Sequence, residues 1–199
     1  MPEPFFFENK WTGLVIITDV SDRVIKELNL QKEKDIFKEI SELDDLTNIA
    51  NRRSFDERLD NSISDAMLKN AKFSLIMFDI DRFKEINDTF GHQAGDAVLS
   101  ELAFLIKENI RKDDFFARFG GEEFMIISDN IGVKGAVELA EKLRLKIETY
   151  GFSSKINVKC SFGVTGYKRN DTAESIIKKA DDALYKAKEN GRNRVESAE

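Results

Sequence analysis

The feature that most constrains the fold is the run KFSLIMFDID, Lys72–Asp81. From Phe73 it is almost continuously apolar, and it stops at acidic residues. An unalternating apolar run of this length suits a strand buried on both faces. On either side of it the chain alternates helix-period and strand-like segments. Helices are expected over about residues 52–70 and 94–109, with a hairpin centred on Gly120 and Gly121 following the second. A third helix is expected over about 133–150, with strands around 158–167. The last helix, over about 173–190, stops at Gly191, a suitable residue just past a helix end. Helices packed on one mostly antiparallel central sheet define the α+β class.

Composition narrows the chemistry. The 199 residues fit one sizeable domain and an appendage. The chain carries 31 basic and 37 acidic residues, a net charge of −6, which argues against a broad nucleic-acid footprint. Phosphate binding, if present, has to be local. The single cysteine, Cys160, lies in the apolar run INVKCSFGV and reads as a buried small hydrophobe in a reducing compartment. No apolar stretch reaches the ~20 residues of a membrane span, and no cleavable signal is evident. A cytoplasmic location is expected.

Both prolines, Pro2 and Pro4, lie in the first four residues, so no element beyond them is broken by proline. WTGLVIITDV, Trp11–Val20, reads as a strand from its β-branched content. A charged segment follows, with Ser21 as a helix cap and Ile36, Ile40 and Leu43 on one helical stripe. Lys32 and Asp35 interrupt any long heptad pattern. The segment is either a solvated helix with one apolar stripe or a short dimerising coiled coil.

Two acidic constellations carry the chemistry. Asp79 and Asp81 end the apolar strand, two residues apart and hence about 6.6 Å apart on one face of a regular strand. Acids in that position suit a hard cation such as Mg²⁺, which takes oxygen ligands and shares them with phosphates. On these residues alone, capping of a helical turn beginning near Phe83 is the simpler account. The second constellation is ARFGGEEFMII, Ala117–Ile127. A hairpin needs the glycines but not the adjoining Glu122 and Glu123. In a regular strand adjacent side chains point to opposite faces, but glycine permits a bent or bulged start. If the strand and the hairpin are neighbours, Asp79 and a glutamate can clamp one metal ion, as polarising a triphosphate requires.

At this point the sequence resembles a known family. RFGGEEF is similar to the signature of the GGDEF-type diguanylate cyclases. The resemblance runs from about Asp45 to Val195 through DDLTNIANRR, FDIDRFKEINDTFGHQAGD, the hairpin, CSFGV and ADDALYKAKENGRNRV. It implies a nucleotide-cyclase and polymerase-palm fold with a ferredoxin-like core. The implied reaction joins two GTP molecules into cyclic dimeric GMP with release of two pyrophosphates, across a homodimer. The implied metal, Mg²⁺ or Mn²⁺, falls to Asp79, the main chain of Ile80, Glu122 and Glu123. The two glutamates are also the implied catalytic pair, Glu122 being the usual base.

The same resemblance assigns Asn87 and Asp96 to the guanine, and a carboxylate does suit the adjacent N1–H and N2–H donors of that base. Lys84, Lys188 and Arg192 fall at phosphate-holding positions, and Phe83, His92, Gly120 and Gly121 line the implied nucleotide pocket. RKDD, Arg111–Asp114, matches an inhibitory product site, which Lys142 and Arg144 are placed to complete. Asn48 stands where the family most often has glycine, a change expected in a turn. FENKWTGLVIITDVSDR resembles the last strand and exit of a PAS sensor, so residues 1–20 read as its remnant, 21–44 as a signalling helix and 45–199 as the cyclase domain. A catalytically silent receptor binding cyclic dimeric GMP through Arg111 and Asp114 is the alternative, and a structural dimerisation module the third.

Overall fold

A computed structural model describes residues 42–153 and 155–198, together with residues 6–7, 10–11, 24 and 26. The chain divides into two units, residues 1–41 and 42–199. In the first, β1 (Phe6–Phe7) pairs antiparallel with β2 (Lys10–Trp11), and Val24 and Lys26 are helical. Most of the strand expected over 11–20 and of the helix expected over 21–43, with the sensor-like reading they carry, lies outside the described residues.

The second unit begins with a closed turn. The Asp44 amide donates to Ile49 O (2.8 Å), the Asn48 amide to Asp44 O (2.9 Å) and the Asn51 amide to Glu42 O (3.0 Å). Asn48 sits at φ 53°, a left-handed conformation that asparagine tolerates better than most residues. The Asn51 side chain then accepts from the Ser54 amide and caps helix α1 (Arg52–Lys69).

Next comes β3 (Phe73–Ile80), all eight residues buried. Two helices follow, α2 (Phe83–Phe90) and α3 (His92–Lys107). The hairpin strands are β4 (Phe115–Gly120) and β5 (Glu123–Asp129), and α4 (Val133–Thr149), β6 (Cys160–Gly166), α5 (Ala173–Glu189) and β7 (Val195–Ala198) complete the unit.

The strand order is β4-β5-β3-β6-β7, antiparallel except for the parallel β6/β7 pair. The expected α+β fold with a mostly antiparallel sheet is therefore present. β3 is the middle strand, with helices on both faces. Its residues Ile76, Phe78 and Ile80 join Phe124 and Phe162 in a core closed by α3 and α4. Phe78 stacks between Phe124 (5.3 Å) and Phe162 (4.8 Å), its register partners on the two neighbouring strands. Residues Leu75 and Met77 join Met125 and Ile127 in a second core, under α1 and α5. Asp79 continues this second face past its apolar end. Cys160 is fully buried, and burial pushes its thiol well above the ordinary range.

Three elements differ from the sequence reading. The helix expected over 94–109 is present as α3, but the helical turn expected near Phe83 is a full helix, α2, separated from α3 at Gly91, whose φ of 84° no right-handed helix accommodates. β7 was not legible, because VESA has little strand character and is held by pairing with β6. Asp81 lies beyond the end of β3. Its carboxylate accepts from the Ser161 hydroxyl (2.7 Å) and the Asn193 amide (2.9 Å), so it fastens the start of β6 to the loop before β7.

Gly163 on β6 lets α5 approach closely, since a Cβ there would lie 2.1 Å from Ala180 O and 2.3 Å from Leu184 N. Both are backbone atoms and cannot swing aside. Gly163→Ala should lower the unfolding free energy by about 1–3 kcal/mol, read from urea midpoints. A midpoint equal to the parent's would contradict this packing.

Candidate active site

The site forms where β3 and β5 end together. The two strands run antiparallel in register from Phe73↔Asp129 to Asp79↔Glu123, so the last apolar pair, Phe78↔Phe124, is followed by an acidic one. Directly opposed residues on antiparallel strands place their side chains on one face, with Cβ atoms about 5 Å apart. Asp79 and Glu123 therefore emerge together on the α1/α5 side. Glu122 occupies the two-residue loop Gly121–Glu122 between β4 and β5. Gly121 has φ 51°, and the strand register shifts between Arg118 and Gly120. The glycine pair thus bends the hairpin as the alternation problem required.

Across this acidic end lies α5. Lys188 Nζ stands 3.0 Å from Asp79 Oδ2, with the Asp79 side chain 8% exposed. Burial raises the Asp79 carboxyl to about 6 against the pull of Lys188, and the charges of Glu122 and Glu123 push the same way as burial. Burial also raises Glu123, opposed by Lys188 and Arg52 and reinforced by Asp181 and Glu122. The charge of Glu122 thus adds to burial at both Asp79 and Glu123. Yet among the described residues no three carboxylate, histidine or cysteine side chains converge on one point as a metal shell. Ile80 is the last residue of β3 with its side chain in the core, so only its main chain is available.

The nucleotide-binding residues implied by the sequence fall on α2, α3 and α5. Phe83 is buried at the start of α2, and Lys84 is exposed beside it. Asn87 packs against the backbone of Gly95, where an added Cβ would lie 1.9 Å from its Oδ1. Gly95 immediately precedes Asp96, so Asn87 and Asp96 are brought to one α2/α3 junction. Asp96 and His92 are exposed there. Arg192, at φ 65°, lines a separate cleft of about 540 Å³ with Arg82, Lys155 and Lys159 on the other flank of α2.

Arg111 and Asp114 meet Lys142 around a cavity of about 260 Å³, and Asp114 Oδ2 accepts from the Arg111 amide (2.9 Å). Arg144 is not brought there. Two residues beyond Lys142 on α4, it points to another side of the helix. Its guanidinium is held by Glu141 (2.7 Å), Glu148 (2.8 Å) and Asn193 (3.0 Å).

Sequence reasoning passed over Asp44, Arg52, Arg118 and Asp181. Arg52 lies over the Phe119 ring at 4.3 Å, and Phe119 packs edge-on to Phe55. Arg118 bridges Asp44 and the Gly121 carbonyl. Burial would raise Asp44, but hydrogen bonds from Thr47 and Arg118 hold its carboxyl below the usual range. An arginine two residues before a Gly-Gly turn was the available signal for Arg118.

A family profile described as diguanylate cyclase, GGDEF domain, matches residues 41–194. The chain belongs to that family, whose cyclases generally use divalent metal ions. Diguanylate cyclase A of Treponema denticola is 47% identical over 131 residues, 64% of this chain and 35% of that protein. Response regulator PleD of Caulobacter vibrioides is 39% identical over 163 residues, 79% of this chain and 36% of that protein. The chain thus spans little more than a third of the length of these curated relatives. The coiled coil and GGDEF domain of DgcB from Caulobacter crescentus, solved in complex with c-di-GMP, superposes with a TM-score of 0.76 at 31% identity, covering 90% of this chain and 97% of that one. The active GGEEF domain of a diguanylate cyclase from Vibrio cholerae gives 0.71 at 38% identity, covering 75% and 97%. No helix among the described residues is long and apolar enough to cross a membrane.

An acid whose folded pKa lies above its unfolded value binds protons in the native state, so its stability contribution falls as pH rises between the two values. For Asp79 that window runs from 3.8 to about 6. With chelator present, Asp79→Asn should raise the unfolding free energy by about 1–3 kcal/mol above the window and leave it nearly unchanged below. A variant less stable than the parent near neutrality would mean that the Lys188 ion pair outweighs burial.

Proposed function

We propose that the chain is a diguanylate cyclase that condenses two GTP molecules into cyclic dimeric GMP and releases two pyrophosphates. The observation that carries this is the in-register pair Asp79 and Glu123, with Glu122 beside it in a glycine turn and Lys188 facing it from α5. Family membership supports it independently.

The donor set fits a hard divalent cation, Mg²⁺ or Mn²⁺. It is all oxygen, and Asp79 is a buried carboxylate held unfavourably charged, which a cation relieves. Asp79, the main chain of Ile80, Glu122 and Glu123 would hold the ion, and when bound it supplies charge stabilisation at the reacting phosphate. The remaining chemistry belongs to the protein. Lys188 can exchange its bond to Asp79 for one to the substrate phosphates, where Lys84 adds positive charge. Asp96 and Asn87 select guanine by accepting from its N–H edge and pairing with its carbonyl, a pattern adenine does not match. Phe83, His92, Gly120 and Gly121 shape the nucleotide pocket. Glu122 or Glu123 accepts the proton of the attacking 3′-hydroxyl, and burial raises the Glu123 carboxyl in the direction such a base needs.

Each domain holds one GTP, and two phosphodiester bonds must form, so two copies face each other about a two-fold axis. Residues 21–44 would keep the pair at high effective concentration. Arg111, Asp114 and Lys142 form the product site, since the planar Arg fork and the Asp acceptor suit the edges and phosphates of the dinucleotide. GTP supply places this chemistry in the cytoplasm.

Incubation with GTP and Mg²⁺ should yield cyclic dimeric GMP, detected by mass. Glu122→Gln and Glu123→Gln should each lower turnover at least ~10²-fold, and parental turnover in both would sink the assignment. Asp96→Ala should raise the KM for GTP roughly 10- to 150-fold, equivalent to the 1.5–3 kcal/mol of a charged hydrogen bond. If GTP binding falls only in step with the folded fraction, Asp96 is structural instead. Arg111→Ala should relieve product inhibition while keeping turnover at low product, and an Arg111→Ala protein as product-sensitive as its parent would remove that site.

A further inference from the structure

We infer that Asp81 is a positioning residue: it holds the peptide plane that aims the Ile80 carbonyl at the catalytic turn, and it is itself held from α4 through Asn193 and Arg144. The inference deepens the cyclase reading and rests on it for the Ile80 main chain as a cation ligand. Three observations combine. First, the plane has a fixed direction. Ile80 ends β3, and the next amide, that of Asp81, donates to Lys159 O at 2.8 Å on the β6 side. In a planar trans peptide the carbonyl points opposite to the N–H, so the Ile80 oxygen points to the β5 side. There the strand pairing has stopped at Asp79↔Glu123. The oxygen therefore faces the Gly121–Glu122 turn, beyond the last paired residues. A main-chain ligand has no rotamers with which to re-aim itself, so its peptide decides where it points.

Second, Asp81 secures that peptide where the strand no longer does. Its Oδ1 accepts from the Ser161 hydroxyl at 2.7 Å and its Oδ2 from the Asn193 amide at 2.9 Å, which ties one residue to β6 and to the loop before β7. Directly after it Arg82 adopts φ 58° and ψ 35°, and α2 begins there without a side-chain cap. A non-glycine residue is strained in that left-handed conformation, so the turn keeps its shape only while its neighbours hold it. Third, the loop end is anchored. Asn193, at φ 47°, accepts on Oδ1 from Arg144 Nη1 at 3.0 Å, and its Nδ2 donates to Glu148 Oε1 at 2.8 Å. Arg144 is 9% exposed and is bound as well to Glu141 and Glu148 on its own helix. A displacement of α4 at Arg144 thus reaches the Ile80–Asp81 peptide through two residues. Asp81 acts through these hydrogen bonds and not through its charge on the cation.

The test compares Asp81→Ala, Asp81→Asn and Asn193→Gly with the parent, counting only folded protein. Two readouts are taken: Mn²⁺ affinity by electron paramagnetic resonance without nucleotide, and kcat at saturating GTP and Mn²⁺. Asp81→Ala should weaken Mn²⁺ roughly 10-fold and lower kcat by a similar factor. Asparagine can keep both bonds, its oxygen accepting from the Asn193 amide and its NH₂ donating to the Ser161 oxygen, so Asp81→Asn should recover the parental Mn²⁺ affinity to within about 3-fold. Asn193→Gly keeps the left-handed backbone and the amide that Asp81 accepts from, and removes only the link to α4. It should weaken Mn²⁺ by about 2- to 5-fold. Parental Mn²⁺ affinity in folded Asp81→Ala would overturn the inference. So would an Asp81→Asn protein as weak as Asp81→Ala, because the charge of Asp81 would then be what matters. Parental affinity in Asn193→Gly would remove the anchor on α4, and would overturn the whole inference if Asp81→Ala does not fold. A parent that makes no cyclic dimeric GMP, with Mn²⁺ weakened in Asp81→Ala and recovered in Asp81→Asn, would overturn the cyclase reading and uphold the role of Asp81. A parent that binds no Mn²⁺ would overturn both.

Discussion

Strand β3 lies between two antiparallel neighbours, and its pairing register decides where everything else goes. Each of its eight side chains is buried, so a slip by one residue would exchange the two cores and move Asp79 to the opposite face. The stacked Phe116, Phe124, Phe78 and Phe162 rings run across four strands and make such a slip costly. With the register held, the acids at the strand ends have no freedom of placement. Asp79 and Glu123 face each other because Phe78 and Phe124 do. Packing energetics far larger than any single polar contact thereby preorganise the polar site.

That arrangement is electrostatically unfavourable in the protein alone. Asp79 is desolvated beside two glutamates, and the counter-charge of Lys188 only partly compensates. A fold tolerates such a site because its cores supply the stability, and because a bound cation and phosphates would reverse the balance. In the proposed reaction Lys188 would serve both states, facing Asp79 in the free protein and turning to phosphate when a cation takes its place. The wider support is also polar. Asp81 fastens the loop before β7, and Arg144 fixes the same loop by holding Asn193. The residue expected in a product site thus braces the loop that carries Arg192.

The sequence was most legible where one requirement acts alone. The unbroken apolar run of β3, the Gly-Gly-Glu-Glu hairpin and the helix stop at Gly191 each follow from local chemistry, and the structure has all three. Legibility failed where tertiary contacts decide. β7 exists through its neighbour β6 and not through its own residues. Asp81 looked equivalent to Asp79 by spacing, yet the strand ends between them and their partners differ. Arg144 looked like a neighbour of Lys142, but helical geometry sends the two to different sides. Arg118 and Asp44 are 74 positions apart, and nothing local announces that they meet.

The central claim is that Asp79 and Glu123 share one cation with the substrate phosphates. A crystal structure with Mg²⁺ and a non-reactive GTP analogue tests it most directly. The account predicts a metal ion about 2.1 Å from carboxylate oxygens of Asp79 and at least one of the two glutamates, with Lys188 turned from Asp79 to phosphate. A nucleotide bound with its metal elsewhere, and Asp79 still closed on Lys188, would contradict it.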